Sequence, residues 1–197
     1  MPAQLPDLTL ADARAWREWL GRNHASSDGV WLRLAKKGTV EPTSLRFEQA
    51  LEEALCHGWI DGQNRSLDTV TYIQRFTARR RRSTWSQRNV AHAERLIEEG
   101  RMHAAGLAEV ERAKADGRWQ AAYAGQATIE TPPDLLAALA ANPAARRMFD
   151  TLTSQNRYAV ILRISSLTTT DARARRIERY VAMLARGDTI HPQRRSA

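Results

Sequence analysis

The sequence predicts an α+β fold: a small antiparallel sheet packed with helices, followed by an all-α C-terminal helical module. Three observations predict it. Apolar and polar residues alternate in "VWLRLA" and again through "WIDGQNRSLDTVTYIQRFTAR", as half-buried strands require. Helical periodicity lies on both sides of those stretches. Beyond Thr131 four helical segments follow one another with no strand signal.

In chain order, "LADARAWREWLGRNH" puts Leu10, Ala13, Trp16 and Leu20 near one face of a helix. After the turn pair Asp28–Gly29, Val30, Leu32 and Leu34 alternate with Trp31, Arg33 and Ala35 in a strand. Phe47, Ala50, Leu51, Ala54 and Leu55 follow the i, i+3, i+4, i+7, i+8 pattern of an amphipathic helix that Gly58 stops. Two strands joined near Asn64 to Asp68 come next, the second rich in the β-formers Val70, Thr71, Tyr72, Ile73 and Phe76. "STWSQRNVAHAERLIEEG" is a helix with Ser86 at its N-cap, Trp85 stapled onto Val90 and Gly100 at its C′ position. "AAGLAEVERAKADG" is another, closed by Gly117.

In the last third, "TPPDLLAALAANP" has a Thr cap and Pro in the first turn, and Asn142 caps "NPAARRMFDTL". "SQNRYAVILRI" and "DARARRIERYVAMLARG" complete the set; Ile177, Tyr180, Val181 and Leu184 form the core stripe of the last helix. The expected organisation is an α+β domain over 8–119, a linker over 120–131, a helical domain over 132–187 and a disordered tail over 188–197.

The 197 residues hold 43% hydrophobic residues and six Trp, enough for a packed core. No apolar run approaches the ~20 residues that span a bilayer. The first residues carry neither a basic start nor an apolar signal region, and the single cysteine excludes an internal disulfide framework; both lead to a cytoplasmic expectation.

The net charge of +8 is led by arginine: seven Arg and one acid lie between Arg75 and Arg95, and seven Arg and two acids between Arg157 and Arg186. Arginine forks onto phosphates and carboxylates, so a polyanion partner competes with the simpler reading of solvated charge.

The densest chemistry is "CHGWIDG". Cys56 and His57 are adjacent at a helix end and point in different directions, so the expected role is packing, with no catalytic residue among them. The five histidines form no HxxxH or HxH pair and the lone cysteine no CxxC, so no metal site is expected. No phosphate-binding glycine loop, nucleophile elbow or dinucleotide fingerprint occurs, and no cofactor is expected.

Asp61 is the strongest single polar candidate. If the strands pair odd with odd, Trp59 and Asp61 neighbour Arg75 on one face; a slip of one residue removes the contact. Asp61 then either ties the turn at Gly62 or touches a ligand.

The run Arg79 to Arg82 precedes the helix that begins near Ser86. Free N–H groups at a helix start make Arg79 and Arg80, with Ser83, Trp85, Ser86 and Asn89, a candidate anion cradle; the alternative is a capped helix with solvated arginines. In the final helix Arg175, Arg179 and Arg186 form a basic stripe opposite the core, a candidate nucleic-acid surface or a solvated face. Arg173 lies near the apolar side and is expected to snorkel or pair with an acid.

The blocks "ALCHGWIDG", "QRFT" with its Arg run, "WSQRNV", "ERLIEEGRM", "AKADGRW…AY" and "PPDLLAALAANPAARRMFDTL…RYAVILRI…RARRIE" resemble the YdeI/OmpD-associated, or bacteriocin-protection, family from Leu10 to Gly187. The resemblance implies a helical C-terminal domain and a link to tolerance of antimicrobial peptides and bacteriocins, with no catalytic residue and no cofactor. Relatives carry prolines where this chain has Thr77 to Ser83, which should loosen the turn; the region of Thr168 lacks their lysine. The combined expectation is a non-enzymatic protein that binds an anionic ligand or protein partner, with nucleic-acid binding by the C-terminal helices, or an enzyme built on Asp61, as alternatives.

Overall fold

The computed structural model describes residues 5–126, 128–167 and 169–193. The chain divides into two compact units, residues 1–122 and 123–197. The fold is α+β, as the patterning predicts.

In the first unit, β1 (Asp7–Leu8), α1 (Ala13–Asn23), β2 (Val30–Ala35), α2 (Phe47–Cys56), β3 (Trp59–Ser66), β4 (Thr71–Ala78), α3 (Gln87–Glu98) and α4 (Ala104–Ala115) follow in order. The sheet runs β1-β2-β4-β3. β2 and β3 lie antiparallel to β4, while the two-residue β1, too short to show alternation, runs parallel to β2.

Helix starts follow their side chains. Asp12 accepts the Ala15 N–H at 2.9 Å, and Ser86 accepts that of Asn89 at 3.2 Å. Gly100 and Gly117 take positive φ just after α3 and α4.

Two cores flank α2. Ala50 and Ala54 face Trp16, Leu20, Trp59, Phe76 and the β2 residues Val30, Leu32 and Leu34. Leu51 and Leu55 face Trp85, Ala93, Leu96, Val110 and Ala113 beneath α3 and α4. Trp16 stacks on Trp19 at 5.2 Å and donates its indole N–H to the Ala50 carbonyl. Burying each such side chain contributes about 2–3 kcal/mol relative to exposure.

α2 meets α4 backbone to backbone. Gly58 ends α2 at φ +75°, and a Cβ on Gly106 would stand 2.4 Å from the Cys56 carbonyl oxygen. The "CHGWIDG" segment is therefore the joint at which a helix stops, an edge strand starts and a second helix closes over both.

A buried carboxylate network ties α1 to the segment between α3 and α4. Glu53 is 3% exposed; it accepts from Arg17 at 2.8 and 2.6 Å and from Arg101 at 2.8 Å. Burial alone would raise its pKa, but the hydrogen bonds and charges of Arg17 and Arg101 together hold it below the ordinary glutamate value.

The second unit contains α5 (Pro133–Ala140), α6 (Pro143–Asp150), α7 (Ser154–Ser165) and α8 (Thr170–Ala185). Leu135, Leu139, Phe149, Ile161, Ile164, Ile177, Tyr180 and Leu184 form its core. The residue before α5 is Pro132, so the expected Thr cap lies one residue too early; Asn142 does cap α6, accepting from Ala145 at 3.0 Å. Arg173 finds its acid, forking onto Asp134 at 2.5 and 2.9 Å.

The segment after α8, expected to be disordered, is held as far as Gln193. Buried Asn156 donates to the His191 carbonyl at 3.0 Å and to the Gln193 side chain at 2.8 Å, and accepts the His191 N–H at 2.8 Å. The remainder of that tail, 194–197, and Thr168 lie outside the described residues.

Candidate functional site

The last residues of β4 and the loop between α1 and β2 enclose a cavity of 570 Å³. Arg75, Thr77, Ala78, Arg79 and Arg80 line one side; His24, Ser26, Ser27 and Asp28 line the other. Alternation sends Arg75 and Thr77 to the sheet face opposite Phe76, which is wholly buried against Trp16. Arg75 thus projects from the face opposite the Trp16 core.

His24 follows α1 and keeps a helical backbone; its Nδ1 donates to the Leu20 carbonyl at 2.9 Å. Its own carbonyl accepts the Trp59 indole N–H at 3.1 Å. Ser27 shapes the loop around Gly29, accepting its N–H at 3.3 Å.

The candidate residues separate into three groups. Arg75, Arg79 and Arg80 come together on this cavity. Arg79 is nevertheless 6% exposed, its guanidinium 3.6 Å from the centre of the Trp85 ring and donating to the Thr84 carbonyl at 3.2 Å. Arg80 is exposed, and its N–H donates to the Ser83 hydroxyl at 3.0 Å.

Ser83, Trp85, Ser86 and Asn89 do not form a free cradle at the start of α3. Ser83 closes the turn with Arg80. Ser86 is occupied as the cap. Trp85 is 2% exposed against Trp119, and Asn89 is buried. The capped-helix alternative describes this helix start, and Arg79 packs against it through Trp85 and the Thr84 carbonyl.

Trp59 and Asp61 require a correction. Trp59 is 1% exposed, edge-on to Trp16 and Trp19, and cannot touch a ligand; it contributes by fixing His24. Asp61 pairs across the sheet with Phe76, not with Arg75, because Trp59 is opposite Ala78 and the register shifts only beyond Asp61. That shift is a bulge at Gly62 and Gln63, which leaves the Arg75 stem 3.7 Å from where a Gly62 Cβ would stand. Asp61 does not line the cavity. Burial raises its pKa, against the lowering effect of a backbone N–H and the charges of Arg79 and Arg88.

Cys56 is buried, and burial pushes its thiol up to about 11, an inert state at neutral pH. His57 is a packed helix-end residue, 2% exposed, with Nδ1 donating to the Glu53 carbonyl at 2.9 Å.

What the spacing of histidines concealed is that His24, His57 and His103, far apart in sequence, pack as a cluster. Their ring centroids lie 4.3 to 6.5 Å apart. Among the described residues, no group of three or more His, Cys, Asp or Glu side chains is placed to hold a metal ion. No helix among them is long and apolar enough to cross a membrane.

His24 and the "HASSDG" loop were the missed half of the cavity. Polar residues after a helix read as an ordinary turn, and only the sheet opposite makes them a wall.

In the second unit Arg175, Arg179 and Arg186 are exposed on α8, as the helical spacing predicts. Arg186, just beyond α8, pairs with Asp188 at 3.2 Å, and Arg179 lines a cleft together with Arg163 and Arg176.

A sheet-and-helix unit with a basic cavity, followed by an all-helical unit, defines the class: a two-unit α+β protein. Residues 8–109 match the family model described as a domain of unknown function (DUF8412), slightly more than half of the chain, and the protein belongs to that family. Residues 128–187 match the model described as "Bacteriocin-protection, YdeI or OmpD-Associated", which identifies the helical unit as a domain of that family. The second match covers only part of the span over which the resemblance was read. No curated protein and no solved structure matches the chain.

Proposed function

We propose that this protein is a non-enzymatic binding protein whose first unit takes up a small oxyanion in the cavity between β4 and the α1–β2 loop. One observation carries this reading: Arg75, Arg79 and Arg80 line one open cavity in which, among the described residues, the only carboxylate is Asp28, with His24 on the facing wall. Forked guanidinium donors suit phosphate or carboxylate groups, and a concave basic wall concentrates anions.

The tolerance role attached to the C-terminal family is then an indirect consequence of binding. A chain of net charge +8 repels cationic peptides and makes a poor trap for them. The proposed compartment is the cytoplasm, where a free thiol such as Cys56 persists. Nucleic-acid binding through α8 has weaker support, since Arg186 is already paired.

The test is isothermal titration of the full chain with inorganic phosphate, sulfate and citrate at low salt. Saturable binding that weakens at least tenfold in the Arg75→Gln/Arg80→Gln variant, and not in Arg82→Gln, supports the reading. Binding that is absent, or equal in both variants, overturns it.

A further inference from the structure

A second concave surface lies entirely within the helical unit. α7, α8 and the segment after α8 enclose a cleft of 420 Å³ lined by Arg163, Arg176, Arg179, Tyr180, Met183 and Ile190. Arg176, Arg179, Tyr180 and Met183 follow the i, i+3, i+4, i+7 spacing of one helix face, and Arg163 reaches in from α7. Ile190 supplies the third wall because Asn156 pins the neighbouring His191.

Two arginines near the ends of α8 are already paired, whereas those of the cleft are not. Arg173 is committed to Asp134 and Arg186 to Asp188. Among the described residues Arg163, Arg176 and Arg179 have no ion pair and no acid lines the cleft. Three like charges gathered in a concavity repel one another, and an anion seated among them relieves that repulsion. The opposite character comes from Tyr180, Met183 and Ile190, which pack on the unit's apolar core. Arg176 lies 5.9 Å from the centre of the Tyr180 ring, so charge and aromatic surface meet within the cleft.

We propose that this cleft binds a small phosphate monoester carrying an aromatic or aliphatic body. The phosphate engages the three guanidiniums and the body lies on Met183, Ile190 and the edge of Tyr180. A dianion with three terminal oxygens matches several forked donors, whereas a single carboxylate is satisfied by one. The volume falls in the range of small-molecule sites. A nucleic-acid backbone would call for a line of free cations along α8, and Arg186 has already left that line.

The experiment uses the full chain, phenyl phosphate as probe, and methyl resonances of Met183 and Ile190 as readout. The expected result is saturable shifts at both methyls, at least tenfold weaker in the Arg163→Gln/Arg179→Gln variant; both side chains are exposed, so the fold tolerates the change. Ile190→Ala should weaken phenyl phosphate and leave inorganic phosphate unchanged. The Arg75→Gln/Arg80→Gln variant should leave these shifts intact, which keeps this outcome separate from that of the first cavity. Absent shifts, or shifts that survive the double variant, overturn the proposal. A single-stranded oligonucleotide that binds through the same arginines and is not displaced by phenyl phosphate also overturns it and assigns the surface to nucleic acid.

Discussion

His57 stacks on His103 with ring centroids 4.3 Å apart and planes inclined by 26°, one ring buried and the other exposed at the start of α4. Burial, the strongest influence, lowers the pKa of His57; the hydrogen bond to the Glu53 carbonyl opposes this, and nearby His103 and His24 add to the lowering. A histidine with a lowered folded pKa binds fewer protons folded than unfolded. Stability should therefore fall as pH drops below the ordinary histidine value, with a slope of up to about 1.4 kcal/mol per pH unit from this group. Urea unfolding of wild type and His57→Gln between pH 7.5 and 5 checks it: the variant should show a shallower decline, and parallel declines would remove His57 as the cause.

Glu53 predicts an effect at the other end of the pH scale. Its lowered pKa means that its contribution is complete above the ordinary glutamate range and is lost as pH falls through the folded value. Glu53→Gln leaves Arg17 and Arg101 without their shared acceptor and should cost about 3 kcal/mol at pH 7. Chemical denaturation from pH 7 downward should show that difference shrinking once the pH falls below the ordinary glutamate value.

Two glycine-to-alanine changes should have opposite signs. Gly106 leaves 2.4 Å between an added Cβ and the Cys56 carbonyl, so Gly106→Ala must push α4 from α2, at about 3 kcal/mol. Gly21 lies in α1 with nothing within 4 Å of an added Cβ, and Gly21→Ala should stabilise by about 1 kcal/mol through helix propensity. Thermal melts of the two variants give the comparison directly.

Asn156→Ala should release the segment that follows α8. The change removes two bonds donated to that segment and one accepted from it, for a loss of about 2 kcal/mol. Hydrogen exchange at the His191 amide should rise to the rate of an open chain while amides in the middle of α7 stay protected. Unchanged protection at His191 would show that other contacts hold the segment.

Much of the fold was legible because it depends on neighbours in sequence. The caps at Ser86 and Asn142, the stops at Gly58, Gly100 and Gly117, and the core stripe of α8 are local features of helix geometry. Asp134 as the partner of Arg173 was not legible in the same way: an arginine near an apolar face signals an acid somewhere, and only packing says which one. β1 escaped notice because two residues carry no period.

The candidate site was legible by halves. Charge density singled out Arg75, Arg79 and Arg80, and they do share a cavity. Their partners His24, Ser26, Ser27 and Asp28 come from a loop that reads as an ordinary turn. Asp61 failed for a different reason: strand register depends on long-range pairing, and the pairing of Trp59 with Ala78 sets Asp61 opposite Phe76.

The sequence by itself determined the helices and most of the strands, the separation of an α+β part from an all-α part, and the arginine-rich segments, because period, caps and charge act over a few residues. The tertiary structure decided which arginines are paired with acids and which line the two concave surfaces. It also gathered His24, His57 and His103 into one cluster and carried Arg79 under Trp85. Those outcomes depend on side chains meeting across the sheet and between helices, at separations along the chain over which local periodicity carries no information.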